Sequence, residues 1–166
     1  MKPRERMIAA LEHREPDDYC PVWEIEFHLF DAVSCGRLVV SDEYSKLSPA
    51  EREKALRNNA EVMVSAAKKI GLSALSNLGP YWEIAPGKPA IMWLPREDSK
   101  KFLPILRQAA GDEIFIMEWC PAMIFIPEAD NYLEFAYKLF DKPEEVDEMA
   151  RRQYENGIEI AKRARD

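Results

Sequence analysis

Two carboxylates and an imidazole alternate along one short, partly apolar segment of this chain. Glu24, Glu26 and His28 stand two residues apart in and just after a segment predicted to be a strand. Because alternate residues of an extended strand project from the same face, this spacing predicts that the three side chains converge. Such a group could bind a cation, orient a cationic substrate or perform general acid–base chemistry. The alternative is a strand that bends before His28, with the glutamates in structural ion pairs.

Two further apolar runs, at 72–78 and 113–118, also lead into polar or aromatic residues. Asn77 stands at the end of the first run, and Glu118 and Trp119 stand at the end of the second. In parallel α/β proteins, ligands bind at the carboxyl ends of the strands, so these residues are candidates for the floor and wall of a pocket. The alternatives are a turn-forming role for Asn77 and core packing for Trp119.

These candidates depend on an alternation of strands and helices. Apolar residues at three- and four-residue steps indicate amphipathic helices, and the Ser48–Glu51 capping box and Gly71 mark the ends of one of them. We predict helices at 3–13, 49–70, 98–110, 131–140 and 143–166, strands near 20–27, 72–78 and 113–118, and a small hairpin or extended excursion at 81–94. This order predicts an α/β fold whose three strands are parallel.

The last predicted helix has an apolar face of the kind that packs against a protein core, but the sequence has no signal that ends the helix. The chain ends Ala164-Arg165-Asp166, without the glycine, asparagine or proline that usually closes a helix. We therefore expect residues 1–166 to be the front part of a larger architecture. A three-stranded parallel sheet has an open edge, and the last helix needs a partner for its apolar face. The expected partner is a second copy of the chain or a complementary half-barrel, so we do not expect a well-behaved monomer.

Composition is typical of a globular protein and narrows the classes of ligand. The net charge of −7 argues against nucleic-acid or anionic-membrane binding, and no apolar stretch approaches the roughly 20 residues that span a bilayer. Three widely spaced cysteines indicate reduced thiols in a cytoplasmic protein. None of them forms a Cys-x-x-Cys or His-x-Cys pair, so we expect no metal site from this chain alone. The usual nucleotide, serine-hydrolase and zincin motifs are also missing from the sequence, and a small-molecule substrate remains the expected partner.

Several segments resemble the uroporphyrinogen decarboxylase family, which includes corrinoid- and coenzyme M-linked methyltransferases. The resemblance is carried by 2–11, 15–17 and 21–23, by Cys120-Pro121-Ala122, and by the helices that follow as far as 155–159. It covers about the first half of a typical member. The family fold is a (β/α)8 barrel, so the resemblance implies a partial TIM-type barrel. Residues 1–166 would then form the amino-terminal portion of that barrel domain, with its first three strand–helix units.

The departures from the family pattern bear on activity. In the decarboxylases, Pro-Val-Trp leads into a segment whose two arginines hold substrate carboxylates, and the resemblance puts Glu26 and Phe30 at their places. Asn77 stands where the family has its catalytic aspartate. These differences favour a methyltransferase acting on a corrinoid or methylated small molecule over a porphyrinogen decarboxylase, because two arginines bind carboxylates and Glu or Phe does not. A non-catalytic half-barrel subunit or interaction module remains a third possibility.

The methyltransferase branch holds zinc with a His-x-Cys and a later Cys from its second half. The resemblance therefore implies no cofactor bound by this chain alone, with zinc or a corrinoid possible in a full-length relative. The pocket candidates remain Glu24, Glu26, His28, Asn77, Glu118 and Trp119, and no catalytic residue is assigned.

Overall fold

The chain forms two compact units, Met1–Met117 and Glu118–Asp166. The computed structural model describes residues 1–25, 27–78, 80–81, 91–120, 122–124, 127 and 131–165. In chain order the helices are α1 Pro3–Leu11, α2 Phe30–Val33, α3 Ser41–Ser45, α4 Pro49–Ile70, α5 Arg96–Ala110, α6 Tyr132–Asp141 and α7 Pro143–Arg165. The strands are β1 Ala74–Ser76, β2 Pro80–Tyr81, β3 Ile91–Met92 and β4 Phe115–Met117.

The five predicted helices correspond to α1, α4, α5, α6 and α7, with ends within about two residues of the prediction, whereas the short helices α2 and α3 were not predicted. Glu51 accepts a hydrogen bond from the backbone N–H of Ser48 at 2.9 Å, which forms the predicted capping box at the start of α4. Gly71 closes the same helix with φ of 79°, a left-handed conformation that glycine adopts without steric cost. Pro104 lies inside α5, and Gly111 ends that helix with φ of 56°.

The predicted partial barrel is wrong. Among the described residues, the parallel sheet consists of two three-residue strands, β1 and β4, which pair Ala74 with Phe115 and Ser76 with Met117. The rest of the regular structure is mostly helical. Strands β2 and β3 form a separate antiparallel pair, as expected for a hairpin in the 81–94 region. The parallel pairing of the second and third predicted strands is observed, but three strand–helix units are not.

The first predicted strand, at 20–27, does not form among its described residues. The backbone N–H of Ser73 donates to the carbonyl of Val22 at 2.7 Å, but Val22 in turn donates to the Ser73 side-chain oxygen at 3.3 Å instead of continuing a ladder. Trp23 and Ile25 are exposed, so no layer covers the face that the alternation predicted to be buried. The segment runs beside β1 without joining its sheet.

The core of the first unit lies between α4, α5 and the two parallel strands. Phe102, Leu106 and Leu94 are fully buried there, and Met63 of α4 is 1% exposed. Asn59 of α4 is a fully buried polar residue, and its amide satisfies both backbone groups of Val39 at 2.8 Å. A side-chain amide that replaces a strand partner in this way lets an irregular segment be buried without unpaired backbone groups.

The second unit is built on α6 and α7, joined through Lys142. Its buried helical residues are Val146, Gly157 and Ile160 of α7, and α6 contributes none. A Cβ atom added at Gly157 would lie 2.5 Å from the Cβ of Ala122, so the chain before α6 crosses α7 closely at this glycine. No helix among the described residues combines the length and apolar character that a membrane span requires.

Candidate functional site

The carboxyl end of the parallel strand pair carries neutral hydrogen-bonding groups. Asn77 directly follows β1, and its backbone N–H donates to the carbonyl of Met117 at 2.9 Å. Its side-chain amide donates to the carbonyl of Ser99, in the first turn of α5, at 3.2 Å. The indole N–H of Trp23 donates to the hydroxyl of Ser76 at 3.1 Å. The end of β1 therefore meets the start of α5 and the segment that contains Trp23. An amide, two hydroxyls and an indole lie where they meet.

A second feature of the first unit is an aromatic cluster formed by residues 27–30 and Trp93. The ring of Phe30 is 4.8 Å from that of Phe27 and 6.3 Å from that of Trp93, in edge-to-face arrangements. The imidazole of His28 lies 5.8 Å from the Trp93 ring. Phe30 is 4% exposed, whereas His28 is exposed, so the cluster has a buried apolar base and an open imidazole edge. Such a surface suits apolar or cationic groups, since the faces of aromatic rings are electron-rich.

The structure describes five of the six sequence-predicted pocket residues. Glu24 and His28 are exposed, and Asn77 is half-buried at the end of β1. Glu118 and Trp119 belong to the second unit, where a Glu118 carboxylate oxygen accepts from the Trp119 backbone N–H at 3.2 Å and the Trp119 side chain is 52% exposed. Glu26 lies outside the described residues. The convergence of Glu26 with Glu118 in one pocket therefore stays a prediction.

A buried arginine ties the 16–22 region to the helix before it and to β1. Arg6 of α1 has a side chain that is 3% exposed, and its Nε and Nη2 atoms donate to the two carboxylate oxygens of Asp18 at 2.8 and 2.5 Å. Its Nη1 atom donates to the Ser73 hydroxyl at 3.4 Å, and its guanidinium carbon lies 3.7 Å from the centre of the Tyr19 ring. This bidentate pair fixes the path of the chain toward Trp23.

Asp18 should make the first unit sensitive to acid. The hydrogen bonds from Arg6 hold the pKa of the Asp18 carboxyl well below its usual range. Because the folded-state pKa is lowered, the stabilisation is present above the unfolded-state pKa of about 3.9 and is lost as the pH falls below it. We expect Asp18→Asn to lower the denaturation midpoint at neutral pH and to flatten the loss of stability below about pH 4.

The matched control is Asp17→Asn, one residue earlier on the exposed surface. When urea denaturation is measured across the pH range, Asp17→Asn should lose stability at low pH as the unmodified protein does. We call this loss of stability below about pH 4 the acid limb. An unchanged acid limb in Asp18→Asn would show that the pair with Arg6 does not govern acid stability.

Metal chemistry has no assembled ligand set in the part of the chain that is described. No group of three or more histidine, cysteine or acidic side chains gathers there as metal ligands do.

Comparisons of the chain with protein-family models, with curated proteins and with solved structures give no match. The function is therefore inferred from the residues and their geometry.

Three residues of the strand edge and the aromatic cluster were not among the sequence candidates. Trp23 belongs to a segment that carries the family resemblance, but its bond to Ser76 is a contact between distant parts of the chain. Trp93 joins the cluster from beyond the β2–β3 pair, and Ser99 joins from α5. No local pattern marks either one, since both are brought in by tertiary contacts.

Proposed function

We propose that this chain contributes to a methyl-transferring enzyme of the uroporphyrinogen decarboxylase type, and that the edge at β1 and β4 forms one wall of a pocket for a methylated small molecule. The observation that supports this most is Phe30. The resemblance puts it where the decarboxylases have a carboxylate-binding arginine, and here it is buried against Phe27 and Trp93. A buried phenylalanine offers no hydrogen-bond donor to an anion.

The proposed roles follow from the side chains at this edge. Trp93 would supply an aromatic face to a methylated cation, and His28 would border the same space. Asn77, held by Ser99, would offer a neutral amide in place of the family's aspartate. Glu24 would contribute negative charge at the entrance, which suits a cation better than a polycarboxylate.

In this proposal, zinc or a corrinoid would be bound in a full-length relative and not by residues of this chain. The His-x-Cys and later Cys that hold zinc in the methyltransferase branch have no counterpart in the sequence. This chain would therefore bind and orient the methylated group, with the methyl acceptor activated elsewhere.

A reducing, cytoplasmic compartment is also proposed, where the exposed thiols of Cys20, Cys35 and Cys120 would stay reduced.

A non-catalytic interaction module is the second candidate. Its support is the apolar surface of α6, where Phe140 is 86% exposed and Tyr137 is 61% exposed. Surfaces of that kind are typical of protein–protein contacts. Porphyrinogen decarboxylation has less support than either, because Phe30 and Glu26 stand where the two arginines would be needed.

Binding of tetramethylammonium, followed by proton NMR, tests the proposed pocket. The chain has two histidines, so two imidazole C2–H signals can be assigned with His13→Gln and His28→Gln. We expect a saturable shift of the His28 signal with tetramethylammonium and no response of the His13 signal. Trp93→Leu should weaken binding roughly tenfold, because one desolvated cation–π contact contributes about 1–2 kcal/mol, whereas Trp93→Phe should keep most of it.

Uroporphyrin, an octacarboxylate, is the opposing probe in the same experiment. Tighter binding of uroporphyrin than of tetramethylammonium, with the His28 signal responding, would overturn the methyltransferase proposal in favour of decarboxylation. The absence of binding by both probes would overturn any small-molecule role for this edge and would favour the interaction module.

A further inference from the structure

The segment 38–41, which leads into α3, packs on the core of the first unit without joining a strand. Leu38 is buried, and Val39 and Val40 are partly buried against the core. Backbone N–H and C=O groups in such a place need hydrogen-bond partners, because an unpaired polar group away from water costs free energy. The partners of this segment therefore show what holds it in place.

Two side chains from helices hold the first half of the segment. The backbone N–H of Leu38 donates to the Asp31 carboxylate of α2 at 2.8 Å. The amide of Asn59, buried in α4, bonds both backbone groups of Val39. The segment is therefore anchored to α4, and α2 is anchored to the segment. Since α2 begins at Phe30, this places part of the aromatic cluster against the same anchor.

The end of the segment is bound to Trp93 through a residue in an uncommon backbone conformation. The backbone N–H of Ser41 donates to the carbonyl oxygen of Trp93 at 2.7 Å. The φ angle of Ser41 is 53°, in the left-handed region where a side chain crowds the backbone. A residue other than glycine keeps such a conformation where the surrounding contacts require it, and strain of this kind clusters at functional sites. Here the strained residue is the one that holds Trp93.

We infer that residues 38–41 form a clamp that positions Trp93 relative to α2, and that Asp31 and Ser41 are the positioning residues at its two ends. The centres of the His28 and Trp93 rings lie 5.8 Å apart, although the two residues come from distant parts of the chain. The clamp ties both parts together, so this separation depends on both hydrogen bonds. The inference rests on the proposed function, because the clamp would set how the two rings face a methylated cation.

The imidazole C2–H signal of His28 in the protein without ligand tests the clamp directly. An aromatic ring shifts the NMR signals of nearby protons, so this signal reports where the Trp93 ring lies. Ser41→Val should move it toward its position in Trp93→Leu, because a β-branched residue does not tolerate a positive φ. Ser41→Gly is the matched control, since glycine adopts this φ without steric cost, and it should leave the signal unchanged.

A second pair of variants tests the other end of the clamp. Asp31 is exposed, so its replacement should leave the first unit folded, which circular dichroism verifies. Asp31→Ala removes the acceptor for the Leu38 N–H and should move the His28 signal, whereas Asp31→Asn keeps an acceptor oxygen and should not. Spectra are compared on the alkaline plateau of each titration, where the imidazole is neutral in every variant. If Ser41→Val does not fold, the Asp31 pair decides.

Affinity for tetramethylammonium separates this inference from the proposed function. Ser41→Val and Asp31→Ala should weaken binding severalfold, toward the roughly tenfold loss expected for removing the Trp93 ring, and the two conservative variants should bind normally. A His28 signal that moves in both disruptive variants of a protein that does not bind tetramethylammonium would support the clamp and overturn the proposed ligand. A signal and an affinity that both stay unchanged in the disruptive variants would overturn the clamp and leave the proposed pocket standing.

Discussion

Replacing Phe102 with alanine should strongly destabilise the first unit. Phe102 is fully buried on the inner side of α5, in the cluster that joins this helix to α4 and to the parallel strands. Removing a buried aromatic side chain costs about 3–5 kcal/mol, through lost burial and the cavity that remains. Since domains of this kind are stable by only about 5–15 kcal/mol, the variant should unfold at a clearly lower urea concentration than the unmodified protein.

Phe140→Ala is the matched control, because it makes the same change at a side chain that is 86% exposed. Its effect on the unfolding of the first unit should lie within about 0.5 kcal/mol in urea denaturation. The measurement belongs at low micromolar concentration, where self-association does not contribute. Equal losses in the two variants would contradict the packing of Phe102 in the core.

Alkaline unfolding should depend on Tyr44, whose side chain is fully buried. Burial, with the Asp98 carboxylate nearby, raises the pKa of Tyr44 to about 12, while the guanidinium of Arg52 acts in the opposite direction. An unfolded chain releases this proton near pH 10, so the folded state loses stability as the pH rises from about 10 toward 12. We expect a loss on the order of 2 kcal/mol over that interval from this group.

Tyr44→Phe removes the ionising group and should therefore flatten the alkaline limb of the stability curve. The control is Tyr137→Phe, which removes a phenol that is 61% exposed and should leave the slope unchanged. Stability is measured by urea denaturation at several pH values, with the ultraviolet absorbance of tyrosinate recorded in parallel. A slope that is the same in all three proteins would show that Tyr44 does not remain protonated in the folded state.

Local signals predicted the five longer helices, because the causes of those helices are local. The Ser48–Glu51 pair and Gly71 bracket α4 through contacts within a few residues, and the structure confirms both. The strand predicted at 20–27 is wrong because alternation describes only which side chains are apolar. Whether a layer covers Trp23 and Ile25, and whether a neighbour accepts a ladder, depends on tertiary packing, and both side chains are exposed.

Part of the candidate site could be predicted from the sequence, because that part has a local signal. Asn77 could be found from its place at the end of an apolar run, and it does follow β1 beside the end of β4. Its partner Ser99 and the ring that faces His28, Trp93, come from distant parts of the chain. Neither has a spacing that links it to the strands, so only the fold brings them together.

The proposal that this edge binds a methylated group is tested most directly by nuclear Overhauser contacts from tetramethylammonium. Its methyl protons should show intermolecular contacts to the ring protons of Trp93 and His28, and Trp93→Leu should abolish them. Contacts confined to the exposed tyrosines of α6 and α7, or none to the first unit, would contradict a methyl-binding site at the carboxyl ends of β1 and β4.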